Sequence, residues 1–351
     1  MSLFSHPDYD RHRSVHFHED RKTGLKAIVA VHRMWDLPAL GGCRFWSYRS
    51  DDEALKDALR LSRGMSFKCV MADVEYGGGK CVILKPDTIA DRKALLAAMG
   101  DFVESLGGII KTGMDIGLSI EDVEAMAARC SHIVGRGETS PAEVTARGVM
   151  EAIRATRSHL DGSEDLGGMH VAVQGLGKIG MRLCELLHAA GAKLTVTDID
   201  EDRIEAAKER FSAKTETPER IHAVKADIFS PCALGSVINQ HTVSEIGARA
   251  IVGAANDQLA SPKMGLALSH RGVLFAPDYI ANAGGLLEVV QDIEKFDDNE
   301  IDRRIARIGD TLKQVYREAR EARVCTADAA NTIALRRIER RDSVPGRSGD
   351  G

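Results

Sequence analysis

A glycine pattern in the second half of the chain limits the fold more than any other feature of the sequence. Gly175, Gly177 and Gly180 follow an apolar segment, His170 to Gln174, and open a helical pattern over 178 to 190. The alternation of apolar strands with amphipathic helices continues beyond it. Alternation at this spacing is typical of a parallel sheet. We therefore predict an α/β, doubly wound Rossmann domain here.

The glycine spacing is that of a turn which binds a pyrophosphate. The first glycine permits a tight turn, the second lets phosphates approach the backbone, and the third allows close packing of helix on strand. The helix N-terminus offers free amides to an anion. The alternative is a structural glycine turn in another parallel-sheet protein.

The next strand adds a carboxylate to this turn. It ends at Asp198, which can accept hydrogen bonds from ribose hydroxyls and would repel a 2′-phosphate. The sequence therefore predicts NAD, rather than NADP, as the cofactor. The residues predicted to bind it here are Gly175, Leu176, Gly177, Lys178, Ile179, Gly180 and Asp198.

Length and composition exclude several classes of protein. A chain of 351 residues suggests about two domains. A net charge of −5 argues against a nucleic-acid partner, and no apolar run is long enough to span a membrane. Seven scattered cysteines without a CxxC pair predict reduced thiols and a cytoplasmic location.

Four histidines lie near the start of the chain and raise the question of a metal site. They are His6, His12, His16 and His18. No acidic or cysteine ligands stand at a consistent spacing with them. We therefore predict a solvated or edge-strand role for these histidines, and no bound metal.

The first half of the chain has a different pattern. Residues 14 to 32 predict two strands, and residues 51 to 65 predict an amphipathic helix that begins after Ser50. Val82 to Leu84 predicts a short strand. A turn-rich stretch then precedes the Rossmann pattern, which predicts a domain boundary near 140 to 148.

Two lysines stand out in this first half. Lys80 directly follows three glycines, and Lys68 stands just past the predicted helix. The glycine run is not a phosphate loop, because Val74 and Cys81 occupy positions where that motif needs Gly and Ser or Thr. Two lysines that converge on one ligand can divide the work: one holds a carboxylate and the other acts as a base. Solvated surface charges are the alternative.

Seven runs of residues resemble the Glu/Leu/Phe/Val amino-acid dehydrogenases, and the leucine and phenylalanine enzymes most of all. They occur in order over about residues 14 to 340. The runs are Pro38–Arg44, Asp57–Lys68, Gly77–Lys80, Gly175–Gly180, Pro231–Gly235, Gly253–Asn256 and Ala276–Gly285.

This resemblance implies a role for individual residues. Lys80 matches the lysine that activates water for attack on the iminium, Lys68 the lysine that holds the substrate carboxylate, and Asp115 the acid/base that shuttles protons. The other residues implied to line the substrate site are Leu40, Gly42, Met65, Gly113 and Asn256. The further residues implied on the cofactor side are Thr145, Cys232, Ala233 and Asn282.

The resemblance also implies the domain organisation. Residues 1–145 would form a substrate-binding and oligomerisation domain, and 146–324 the Rossmann NAD-binding domain. Helices of about 325–340 would return to the first domain. The polar composition of residues 341–351, with Pro and Gly, separately predicts a flexible tail. Like the family, the chain would form a homo-oligomer. The loop before Thr145 departs from the family pattern by two extra residues, in a shortened connection from Asp115.

Two positions bear on the substrate. Glutamate enzymes of the family carry a lysine where this chain has Leu40, so an acidic side chain would lack a buried counter-charge. Gly113 lacks the methyl group that leucine enzymes often carry, which hints at a larger side chain. We predict oxidative deamination of an apolar L-amino acid to its 2-oxo acid and ammonium, with a branched-chain substrate preferred and phenylalanine or tryptophan as the alternative.

A protein that senses a dinucleotide without catalysis is the alternative from another class. The presence of Lys68, Lys80 and Asp115 argues against it.

Overall fold

A computed structural model describes residues 3–136 and 141–344 of the chain. The chain divides into two compact units: Met1–Glu138 with Ala334–Gly351, and Thr139–Ile333. We call them the first and the second unit. The predicted boundary begins at residue 140, which lies outside the described residues. Of the predicted tail, Arg341 and Asp342 instead close the last helix, Thr326–Asp342, and residues 345–351 lie outside the described part.

The first unit is built on a mixed sheet. Its strands are β1 (Ser14–Asp20), β2 (Leu25–Arg33), β3 (Ala39–Leu40), β4 (Cys43–Trp46), β5 (Gly77–Leu84) and β6 (Ile110–Lys111). The order is β1-β2-β5-β3-β6, with β4 also paired to β5. The pairs β1–β2 and β2–β5 are antiparallel, and the others are parallel. The two strands predicted within 14 to 32 are confirmed.

Helices cover both faces of the two central strands. They are α1 (Asp51–Met71), α2 (Arg92–Ser105) and α3 (Ile120–Ala127). Val29 of β2 joins a buried cluster with Leu95 and Met99 of α2. The next residue, Ala30, faces the opposite side and packs in a cluster with Ala58 of α1. Because successive side chains of a strand point to opposite faces, β2 is apolar without interruption over residues 27–31.

Two sequence predictions were wrong in this unit. Lys68 does not follow α1 but lies in its last turn, because the helix continues to Met71. The glycine triplet does not precede a strand: it forms the first three residues of β5. Neighbouring backbone requires glycine there, since a Cβ on Gly78 would lie 2.0 Å from the amide nitrogen of Ser66.

The second unit contains the predicted parallel sheet. Its strands are β7 (His170–Gln174), β8 (Lys193–Thr197), β9 (Lys214–Thr215), β10 (Ile228–Pro231), β11 (Ala250–Ile251) and β12 (Leu274–Phe275). The order is β12-β11-β10-β7-β8-β9, and every pair is parallel. The order reverses between β7 and β10, which is where such sheets bind ligands.

The helix predicted over 178 to 190 is confirmed over Lys178–Ala189. The helices of this unit are α4 (Pro141–Asp161), α5 (Lys178–Ala189), α6 (Glu201–Phe211), α7 (Pro262–His270), α8 (Asp278–Ala281), α9 (Gly284–Glu294) and α10 (Asp298–Ala322), before the last helix, α11. The apolar stripe of α10, from Ile301 to Val315, is buried, and the helix packs on α4. Within 3–136 and 141–344, no helix has the length and apolarity needed to cross a membrane.

The prediction of solvated histidines was wrong for His6 and His12, which are buried. His12 Nε2 lies 3.1 Å from both the carbonyl oxygen of Leu59 and Oγ of Ser62. Its ring centroid is 4.9 Å from that of His32. Among the described residues, no group of histidine, cysteine and carboxylate side chains could hold a metal ion.

Buried His12 predicts a loss of stability in mild acid. Burial, with the neighbouring His32, lowers the pKa of His12 from 6.5 to about 4. The unfolded chain therefore binds more protons between these values, so the free energy of unfolding falls as pH drops from about 6.5 to 4. We expect His12 to account for about 2 kcal/mol of the loss between roughly pH 7 and 5.

Urea unfolding at both pH values checks this expectation. His12→Gln should lose less stability on acidification than the wild type, whereas the exposed His241→Gln should match it. An equal acid loss in His12→Gln and the wild type would contradict the assignment.

Candidate active site

A buried lysine and a partly buried aspartate form an ion pair in the first unit. Nζ of Lys80, a side chain that is 7% exposed, is 2.6 Å from Oδ2 of Asp115. Burial of Asp115 alone would raise the pKa of its carboxyl group, but the nearby cations of Lys80 and Arg44 outweigh it, and the pKa is lowered. The structure thus brings together two residues whose catalytic roles are predicted, and keeps the carboxylate ionised.

Strand pairing brings about this contact. β4 pairs in parallel with β5, so that Arg44 lies opposite Val82. On its other side, β4 meets the 113–116 segment, where Cys43 and Met114 form a parallel bridge. Because side chains alternate along each strand, the lysine, the arginine and the aspartate lie on the same face.

Sequence reasoning missed the role of Arg44. Its Nε lies 3.2 Å from Oδ2 of Asp115, and its terminal NH1 lies 3.0 Å from Oδ2 of Asp57. Arg44 and Asp57 stood only at the ends of runs that resemble the dehydrogenases. A charged residue between two apolar ones, Cys43 and Phe45, which are both buried in the structure, was the local signal that could have revealed it.

The second predicted lysine lies on the helix that packs against β5. Lys68 and Met65, both partly buried, are three residues apart on α1 and so share one face of that helix. Leu40 is buried in β3, where it pairs with Gly78 at the start of β5. Of the predicted substrate residues, Leu40 therefore lies on β3, and Met65 and Lys68 lie on the C-terminal part of α1.

The two single glycines predicted for the substrate site have packing roles. A Cβ on Gly42 would lie 2.8 Å from Cβ of Asp115 and 3.0 Å from the carbonyl oxygen of Met114. A Cβ on Gly113 would lie 2.4 Å from the carbonyl oxygen of Val134. The missing methyl at 113 is thus accounted for by backbone contact, and the hint of a larger substrate drawn from it loses its basis.

Gly42→Ala should lower turnover without removing any catalytic group. The added methyl would push Asp115 away from Lys80, and a displacement of about 1 Å can reduce a rate by ~100-fold. We expect kcat to fall by roughly 10- to 100-fold, measured by steady-state kinetics. Gly64→Ala is the matched control, because a Cβ there meets nothing within 4 Å. Equal kcat in the two variants would refute the positional role of Gly42.

In the second unit, the glycine turn has the geometry of a phosphate-binding turn. Gly175 has φ of +96°, and a Cβ on Gly180 would lie 1.9 Å from the carbonyl oxygen of Gly175. A Cβ on Gly177 would meet nothing within 4 Å, and α5 begins there without a side-chain cap. The amides at this helix start are therefore available to an anion.

Asp198 is tied to the same turn. Its Oδ2 accepts a hydrogen bond of 2.5 Å from the amide of Leu176, and its Oδ1 accepts one of 3.0 Å from the amide of Asp200. Cys232, just after β10, donates its amide to the carbonyl oxygen of Gln174 at 2.7 Å. The predicted cofactor residues after β7, β8 and β10 thus gather where the strand order reverses.

The side-chain amide of Asn282, directly after α8, is buried. Nδ2 of Asn282 donates to Oδ1 of Asn256 at 2.8 Å and to the carbonyl oxygen of Ala254 at 3.1 Å. Oδ1 of Asn282 is buried without a partner among the described residues. A buried acceptor of this kind suits a ligand that donates a hydrogen bond, such as a carboxamide. Asn256, predicted with the substrate residues, therefore lies in the second unit beside a predicted cofactor residue.

Thr145 and Ala233 are also placed in the second unit. Thr145 is buried in α4, and a Cβ on Gly285 would lie 3.2 Å from its Oγ1. Ala233 packs on the glycine turn, with its Cβ 2.7 Å from a Cβ built on Gly175.

A parallel sheet of the dinucleotide-binding type and a mixed-sheet unit with a lysine–carboxylate ion pair define the class: a two-domain dehydrogenase. Residues 10–136 match the model of the Glu/Leu/Phe/Val dehydrogenase dimerisation domain. Residues 195–346 match the model of glutamate/leucine/phenylalanine/valine dehydrogenase.

Relatives match nearly the whole chain. It is 38% identical to leucine dehydrogenase from Geobacillus stearothermophilus, over 97% of this chain and 94% of that protein. It is 40% identical to phenylalanine dehydrogenase from Bacillus thermotolerans, over 94% and 89%. The crystal structure of L-tryptophan dehydrogenase from Nostoc punctiforme superposes with a TM-score of 0.86 at 38% identity, over 95% of this chain and 97% of that one.

The chain belongs to the Glu/Leu/Phe/Val dehydrogenase family. It is thus an amino-acid dehydrogenase, an oxidoreductase that acts on a CH–NH2 group. The family and fold predicted from the sequence are confirmed.

Proposed function

We propose that this protein deaminates an apolar L-amino acid oxidatively with NAD, and releases the 2-oxo acid and ammonium. A branched-chain amino acid is the preferred substrate. The observation that carries the proposal is the contact of 2.6 Å between the buried Lys80 and the partly buried Asp115. A lysine and a carboxylate at this distance can pass a proton between them. Proton transfer is required both in the oxidation of the amine and in the hydrolysis of the imine.

Three side chains of the first unit have separate roles in the proposed reaction. Lys68 holds the carboxylate of the substrate by its charge. Asp115, ionised beside its cations, accepts a proton from the substrate amine. As a neutral amine, Lys80 orients the water that attacks the imino carbon and takes a proton from that water. Asp115, whose Oδ2 is within hydrogen-bond distance of Lys80, donates the proton it took from the substrate to the amino group of the carbinolamine. As the amino group leaves as ammonia, the proton of the new hydroxyl group passes back to Asp115.

The second unit holds the residues for the cofactor. When bound, NAD supplies the acceptor for the hydride that leaves the α-carbon of the substrate. The uncapped start of α5 suits the pyrophosphate, and Asp198 at the end of β8 suits the ribose hydroxyls. The unpartnered Oδ1 of Asn282 suits a carboxamide donor.

The preference for an apolar substrate rests on Leu40. It is 2% exposed, so a substrate carboxylate beside it would be buried without the cation that the glutamate enzymes supply. A lone buried charge costs several kcal/mol. The named relatives act on leucine, phenylalanine and tryptophan, and the aromatic amino acids are the alternative substrates here.

The proposal extends to assembly and location. We infer a homo-oligomer formed through the first unit, because residues 10–136 match a family model described as a dimerisation domain. The seven cysteines are free thiols, which suits the reducing cytoplasm. The partners are the amino acid, its 2-oxo acid and ammonium, with no nucleic acid or membrane.

NADH formation with a panel of L-amino acids tests the function. We expect absorbance to rise fastest with leucine, isoleucine or valine, more slowly with phenylalanine and tryptophan, and not with glutamate. NADP in place of NAD should give much lower kcat/KM. Binding of NAD without turnover of any amino acid would overturn the proposal and favour a dinucleotide sensor.

A further inference from the structure

Arg44 is held between two carboxylates in the first unit. Its Nε lies 3.2 Å from Oδ2 of Asp115, and its NH1 lies 3.0 Å from Oδ2 of Asp57. The side chain is 16% exposed. Because the donors of a guanidinium stand at fixed angles in one plane, anchoring one end of the group fixes the direction of the other.

Asp57 provides the anchor. It lies on α1 and also accepts hydrogen bonds from the hydroxyl of Tyr48 at 3.0 Å and from Arg60 at 3.3 Å. Burial and the charge of Asp57 raise the pKa of Tyr48, so its hydroxyl stays protonated and donates. Arg44 therefore links the strand β4 and the helix α1 to the carboxylate of Asp115.

The same oxygen of Asp115 receives both cations. Oδ2 is 2.6 Å from Nζ of Lys80 and 3.2 Å from Nε of Arg44. A lysine amine rotates about four flexible bonds, and it would not fix a carboxylate by itself. The planar arginine supplies a rigid contact.

We propose that Arg44, anchored by Asp57, is a positioning residue that holds the Asp115 carboxylate in the orientation in which it exchanges protons with Lys80. The proposal rests on the deamination proposed above. Arg44 acts through Asp115 and is given no contact with substrate.

Two variants separate the charge of Arg44 from its geometry. Arg44→Gln removes a cation from Asp115, so the pKa of that carboxyl should rise and the acid limb of kcat should move to higher pH by roughly one unit. Arg44→Lys keeps the charge but cannot reach both carboxylates as a rigid fork. It should lower kcat ~10-fold or more and leave the acid limb near that of the wild type. KM should change little in either.

Arg92→Gln is the matched control. Arg92 forms hydrogen bonds of 2.8 and 2.7 Å with the carboxylate of Asp122 and stacks 4.5 Å above the ring of Phe45. Its loss should reduce stability without moving the acid limb. If Arg44→Gln behaves like Arg92→Gln, with lower stability and an unchanged pH profile, the positioning role is overturned.

A direct titration separates this proposal from the proposed function. The carboxyl carbon of Asp115 can be followed by NMR in protein labelled with 13C-aspartate, with Asp115→Asn used for assignment. Asp115 should titrate at higher pH in Arg44→Gln than in the wild type, whether or not any amino acid is turned over. Identical titrations overturn the role of Arg44, while a wild type without turnover overturns only the deamination.

Asp57→Asn covers the case in which Arg44→Gln does not fold. It removes the anchor and leaves the guanidinium in place. We expect kcat to fall ~10-fold with an acid limb close to that of the wild type. A wild-type kcat in Asp57→Asn would show that the anchor is not needed and would overturn the proposal.

Discussion

Lys80→Ala should abolish amino-acid turnover, with kcat reduced by about 1000-fold or more. The variant removes the amine that orients and deprotonates water in the proposed reaction. Folding should survive, because Asp115 keeps its contact of 3.2 Å with Arg44 and is not left as an unpaired charge. Steady-state assays of NADH formation with the best amino acid of the panel measure the loss.

Binding of NAD should be unaffected in the same variant. The residues predicted to bind it after β7, β8 and β10 all belong to the second unit, whereas Lys80 belongs to the first. Isothermal titration calorimetry should give a dissociation constant within about twofold of the wild type. Lys85→Ala, just beyond the same strand, is the control and should retain turnover. Turnover by Lys80→Ala at the wild-type rate would refute its role as the base.

Asp115→Asn should lower kcat by a factor similar to that of Lys80→Ala. The amide has nearly the same shape as the carboxylate but cannot accept a proton, so we expect kcat to fall about 1000-fold. The variant should also unfold more easily, since Lys80 and Arg44 would face a neutral group and repel each other. Kinetics at saturating substrate and urea unfolding measure the two effects.

Asp122→Asn is the control that separates a loss of stability from a loss of kcat. Asp122 is also buried and paired with an arginine, at 2.7 and 2.8 Å from Arg92, but it lies apart from the proposed reacting groups. It should lose stability and keep its kcat. Comparable kcat values in Asp115→Asn and Asp122→Asn would leave no catalytic role for Asp115.

Local pattern predicted the second unit well. The strand before the glycine turn, predicted from His170 to Gln174, has those bounds in the structure, and α5 follows it as expected. Short parallel strands joined by amphipathic helices repeat one pattern, and each repeat can be recognised without knowledge of its neighbours. Such local patterns do not predict the strand order, because strand pairing joins residues that are far apart in the chain.

Local pattern was less reliable around the predicted substrate residues. Glycines usually weaken strands, and the sequence pattern places the run from Gly77 to Gly79 before a short strand at Val82 to Leu84, but β5 begins with that run. Neighbours that approach within 2.0 Å of an added Cβ explain the glycines, and those neighbours are known only from the fold. The same holds for Gly113, whose missing methyl relates to Val134 and not to a substrate.

The sequence by itself determined the family and the parallel-sheet domain, and it predicted Lys80 and Asp115 as catalytic residues, because each of these inferences depends on short runs of residues. Only the tertiary structure decided that these two side chains meet, and that Arg44 joins them on the same oxygen. β4 lies between β5 and the segment that carries Asp115. The order of strands in a sheet is set by packing of the whole unit, so no local spacing could predict this contact.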